Sequence, residues 1–160
     1  LEAVLRQLTE LHRELGEHLA RQREQLQQGD AAGVAASAQL QNEKVQRISE
    51  LEKERLRLVA ELTLRMDAGA ETPLRLTELA ERLPEPERGK LLVMRQELRE
   101  RMLAVKRESS VVRKATDSLA RHVQGLVETA VAVASAAPGY SQTGHTPKPA
   151  FAMGTLNLMA

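Results

Sequence analysis

Seven apolar residues stand in strict sevens along the C-terminal half of the chain: Leu91, Leu98, Val105, Val112, Leu119, Leu126 and Val133. A strand alternates faces with every residue, so an odd spacing would scatter this column over both sides of a sheet. A helix with about 3.6 residues per turn keeps it on one side, with a slow drift that helices absorb by winding around each other. The column predicts one long helix, residues 84–135, with coiled-coil packing. A companion column is read four residues on, at Arg95, Met102, Ser109, Thr116, Val123 and Ala130. It is weak at its start and centre, which predicts a loosely packed seam there.

The rest of the chain supplies the neighbours. Leu1, Leu5, Leu8, Leu11, Leu15, Leu19 and Leu26 make one apolar stripe over residues 1–28. Gly29 is a helix stop and Asp30 a cap for a second helix over residues 31–66. That helix carries a stripe of Val34, Ala38, Val45, Ile48, Leu51, Val59, Leu62 and Met66. The break DAGAETP, residues 67–73, precedes a short helix over residues 77–83, capped by Thr77. Pro84 and Pro86 end it and suit the first turn of the last helix. Short connections make neighbouring helices antiparallel. Aromatics are 1% of the chain, and both, Tyr140 and Phe151, lie beyond the last helix. A core of Leu, Val, Ile, Met and Ala suits a narrow bundle. The expected fold is all-α: an antiparallel bundle of three long helices with a short linking helix over residues 1–137. An irregular tail, residues 138–160, either stays flexible or docks.

Length sharpens this expectation. A helix over residues 84–135 is roughly 75 Å long, and one over residues 31–66 roughly 54 Å. The last helix should therefore overshoot the turn at Gly29 by about 15 residues. The overshooting stretch is apolar, at Val123, Leu126, Val127, Val131 and Val133. An exposed apolar surface of that kind marks an interaction site. Two other outcomes are open: the helix bends at Gly125 onto its own bundle, or the chain forms a homodimer through this stretch.

Several function classes are excluded. The net charge is +1, from 23 basic and 22 acidic residues, which argues against nucleic acid and a polybasic membrane anchor. There is no cysteine, hence no disulfide, thiolate nucleophile or zinc-thiolate site. No run of about 20 apolar residues inserts into a membrane, and no secretory signal is visible. Because the chain opens on Leu1 rather than methionine, further residues are expected to precede it. His12, His18, His122 and His145 show no metal-ligand spacing and are expected to be solvated. The alternating charges of Glu50, Glu52, Lys53, Glu54 and Arg55 read as a solvated helix face. No nucleophile stands near a base, and phosphate-binding and dinucleotide motifs are absent. No cofactor and no enzymatic activity are expected.

The segments LEAVLRQLTELHRELGEHLARQREQLQQGD, ISELEKERLRLVAEL and LTELAERLPEPERGKLLVMRQELRERM, in this order, resemble the FlgN-like flagellar export chaperones. The likeness covers about residues 1–135. It implies a cytoplasmic chaperone of the flagellar type III export system whose clients are hook-associated proteins. It further implies that the last helix covers the unfolded C-terminal helical region of the client. The chaperone would then dock on the export gate, with its ATPase complex as a further partner. Placed on this chain, the client surface is Val112, Leu119, Val123, Leu126, Val127, Val131 and Val133, in a helix-in-groove or zipper mode. The family tends to carry a tyrosine just past the last helix, linked to docking on the gate. Tyr140 with Gly144 matches it, although Ser141 stands where a glycine is expected. The rival reading is a coiled-coil adaptor or dimerisation module with no role in secretion.

Overall fold

The computed structural model describes residues 1–67 and 69–136, which form two units, Leu1–Ser118 and a second beginning at Leu119. Four helices follow in order: α1 (Glu2–Gln28), α2 (Ala31–Met66), α3 (Leu76–Glu81) and α4 (Glu87–Ala136). Among the described residues there is no strand. The fold is the expected all-α bundle.

The turn between α1 and α2 is set by two residues. Gly29 takes φ 71°, the left-handed region that a side chain disfavours. Its N–H donates to the Leu26 carbonyl (3.3 Å), and the Asp30 N–H donates to the Gln25 carbonyl (2.9 Å). This pair of bonds satisfies carbonyls at the end of α1 in the Schellman pattern. The Asp30 carboxylate then accepts from the Gly33 N–H (2.9 Å), capping α2. The chain reverses within two residues, so α1 and α2 lie antiparallel. Polar bridges along the pair hold the register: Ser37 donates to Gln25 (2.7 Å), Gln41 donates to Gln22 (2.8 Å), and Lys44 pairs with Glu14.

In the first unit one core joins all four helices. Val4, Leu5 and Leu8 of α1 meet Leu51 of α2, Leu79 and Ala80 of α3, and Leu91, Met94 and Leu98 of α4. A smaller cluster of Leu15, Leu19 and Val112 continues it, with Leu26, Ile48 and Val105 packed alongside. In both clusters α4 residues rise in number as α1 residues do. Within this unit α4 therefore runs parallel to α1 and antiparallel to α2.

The structure departs from the sequence expectations at several positions along α2, α3 and α4. Val45 and Met66 of the α2 stripe are exposed, whereas Ser37 and Thr63 are buried. Ser37 is satisfied by Gln25, and Thr63 donates to the Val59 carbonyl (2.8 Å) and accepts from the Leu74 N–H (3.0 Å). Thr77 lies inside α3; the N-terminal N–H of that turn, at Arg75, donates to Glu78 (2.7 Å). α4 starts at Glu87 rather than 84, because Leu83 and Glu85 each precede a proline and are disfavoured from helical backbone. The Pro84 and Pro86 carbonyls instead receive the N–H groups of Arg88 and Lys90 (3.0 and 3.1 Å). Finally, the buried companion at the start of the column stands three residues on, not four: Met94 is 8% exposed, whereas Met102, four on from Leu98, is 44% exposed.

Candidate functional site

α4 carries the seven-residue column through both units. In the first unit Leu91, Leu98 and Val112 are buried, and Val105 is partly buried. Leu119, Leu126 and Val133 of the second are 45%, 57% and 67% exposed. Val112 was expected on the client surface, but it is buried against Leu15 and Leu19, in the bundle seam. A side chain so placed cannot receive a partner without opening the core. The other six candidates, Leu119, Val123, Leu126, Val127, Val131 and Val133, are all exposed and share one helical stretch.

Their arrangement follows from the helical rotation of about 100° per residue. Leu119, Val123, Leu126, Val127, Val131 and Val133, with Ala130 and Ala134, fall in a continuous apolar arc of about 160°. A two-helix seam needs only two positions in seven, and an arc this wide matches a helix that meets two neighbours. Polar side chains of the same stretch bond within their own helix. Gln124 donates to Glu128 (3.0 Å), Thr129 to the Gly125 carbonyl (2.8 Å) and Ser135 to the Val131 carbonyl (2.8 Å). From Thr129 to Ala136 there is no charged residue. The surface can therefore be desolvated with little electrostatic cost.

A second concave feature lies within the first unit, between α1 and α4. It is a shallow groove of about 280 Å³ over Gly16, Ala20, Ala104 and Val105, edged by Arg13, Glu17, Arg101 and Glu108. Glu108 pairs with Arg23 (3.4 Å), while its Oε2 is buried with no hydrogen-bond partner. Arg13 grips Glu10 with two hydrogen bonds (2.5 and 3.0 Å) and also pairs with Glu17. The Arg13 hydrogen bonds hold the Glu10 carboxyl below the usual carboxylate range. His12 is not solvated as expected. It is buried, with Nδ1 2.8 Å from the Leu8 carbonyl, because residue 12 falls on the stripe between Leu8 and Leu15. His18 is half-buried, and burial, then Arg21 and Lys44, pull its protonation below the usual imidazole value. His122 is exposed. His145, Tyr140 and Phe151 lie outside the described residues.

Among the described residues no three His, Asp or Glu side chains are grouped to hold a metal ion. No described helix is long and apolar enough to cross a membrane. The family model described as FlgN protein matches residues 1–148. Comparison with curated proteins and with solved structures gave no match.

Proposed function

The chain belongs to the FlgN family, a family of flagellar export chaperones, and from that membership we propose which clients it serves and how it holds them. The clients are hook-associated proteins, bound in the cytoplasm through their unfolded C-terminal helical regions. The exposed apolar arc from Leu119 to Val133 carries this reading. An amphipathic client helix without its final partner needs a temporary apolar face, and the arc is wide enough to meet two such helices. The client orders as it binds, and the entropy lost keeps a large contact reversible. Release matters for a carrier that must hand its cargo to the export gate. Docking on that gate, and on its ATPase complex, is assigned to Tyr140. The role is carriage, with no chemical step.

Calorimetric titration with a C-terminal fragment of a hook-associated protein tests the proposal. Micromolar or tighter binding with a negative heat-capacity change is expected. It should be lost in a Leu119→Ala/Val123→Ala/Leu126→Ala variant of unchanged helicity. Failure of the intact chain to bind a competent fragment, together with a stable dimer through the same residues, would replace the chaperone reading with the adaptor. For the docking role, Tyr140→Ala should retain client binding and lose affinity for the isolated gate domain.

A further inference from the structure

We propose that the chain's own C-terminal segment, Ala150–Ala160, occupies the Leu119–Val133 face when no client is bound and must be displaced for loading. This rests on the reading of that face as the client surface and adds its regulation. The family match stops at Lys148, so membership does not account for the segment beyond it. That segment reads AFAMGTLNLMA and has no charged residue, in a chain that is 28% charged. It holds the only phenylalanine, Phe151, together with Met153, Leu156, Leu158 and Met159. Such a composition gains nothing against a charge-dense helix surface. It matches a face whose last eight helical residues, Thr129–Ala136, carry no charge.

Reach is sufficient. Fourteen residues separate Ala136 from Phe151, and an extended chain of that length spans up to about 46 Å. The face from Leu119 to Val133 is about 21 Å long. Pro138 and Gly139 stand two and three residues beyond Ala136, and both residue types favour a reversal. A segment tethered this closely acts at an effective concentration of about millimolar, so even a weak contact competes with a micromolar client.

The absence of cysteine permits a direct test in the full chain. In an Ala130→Cys/Thr155→Cys variant, a short bis-maleimide should link the two sites within one molecule. The rate should be at least about tenfold that of an Ala132→Cys/Thr155→Cys control, which a free tether reaches equally well but which lies on the opposite side of the helix. Adding Phe151→Ser and Leu156→Ser should bring it down to the control. Equal rates in the two pairs, or a dominant product of doubled mass, would overturn the proposal, the second by making another copy the occupant. Client titration separates this idea from the function it rests on. The Phe151→Ser/Leu156→Ser chain should bind the hook-associated fragment about tenfold more tightly than the natural chain. Unchanged affinity ends the regulatory claim and leaves the chaperone reading intact. Preferential cross-linking with no client binding by either chain leaves the self-contact standing and removes the chaperone reading.

Discussion

The two stretches of α4 keep the same apolar column at the same spacing and differ in almost everything around it. Between Glu87 and Ser118 there are fourteen charged residues in thirty-two; between Leu119 and Ala136 there are two in eighteen. In the first stretch the column is a narrow seam, and its three-on companions are Met94, Arg101, Glu108 and Ala115. In the second the companions stand four on, at Val123 and Ala130, and Val127 and Val131 widen the face further. Periodicity thus tells that a face is meant to be covered. The residues flanking it tell by how many neighbours, and how much water they must exclude.

The strongest way to break this contrast is truncation on each side of it. Leu98→Ala should cost about 2–5 kcal/mol, because Leu98 is buried among α1, α2 and α3 side chains. Leu126→Ala should stay within about 0.5 kcal/mol in urea unfolding. Similar losses at the two positions would mean that the second stretch is packed in solution. A smaller effect examines the companion column. Replacing Glu108 with methionine removes a buried oxygen without a partner, and should raise stability by about 1 kcal/mol. A loss of that size would return Glu108 to a stabilising role through Arg23.

Gly125 probes the second stretch alone. No side-chain atom lies within 4 Å of where its Cβ would be, so Gly125→Ala meets no obstacle. Helix propensity then favours alanine by about 0.5–1 kcal/mol, which should slow amide exchange across Leu119–Ala136 and leave Leu91–Val112 unchanged. Exchange slowed in both would couple the two stretches. The smallest effect is on pH. His18, in the first unit, is held below the ordinary imidazole value by burial, then by Arg21 and Lys44. The unfolded chain therefore takes up a proton that the folded chain resists. Stability should be flat above the ordinary imidazole value and fall as pH drops from there toward the folded value. His18→Gln should flatten that decline, as followed by melting temperature between pH 7.5 and about 5.5.

Much of this is legible in the sequence. Leucine spacing marked α1, Gly29 and Asp30 marked the hairpin, and the sevens marked α4. Most of what is not legible depends on partners outside the local pattern, with His12 the exception. Met94 and Met102 are the same residue on opposite sides of the column, and only the position of α1 and α3 decides which is buried. Ser37 and Thr63 look like surface residues until Gln25 and the Leu74 N–H are seen beside them. His12 looked solvated because imidazole is polar, yet the Leu8 carbonyl one turn back receives it inside the stripe. At the candidate surface the apolar residues could be named from sequence. Val112 could not be separated from them, since nothing in the local pattern distinguishes it from Leu119.

Thr63 has a consequence for how the chain tolerates change. Its side chain is buried deeply enough to pass for an aliphatic position, but its hydroxyl ties the end of α2 to the connection at Leu74. Valine copies the shape and leaves the Leu74 N–H unanswered; serine copies the bonds and leaves a methyl-sized gap. A saturation library read out by abundance should therefore show an inverted preference there. Serine should survive better than valine, isoleucine or leucine, the reverse of what neighbouring Val59 should show. Any redesign that scores this position by burial alone would choose the wrong residue.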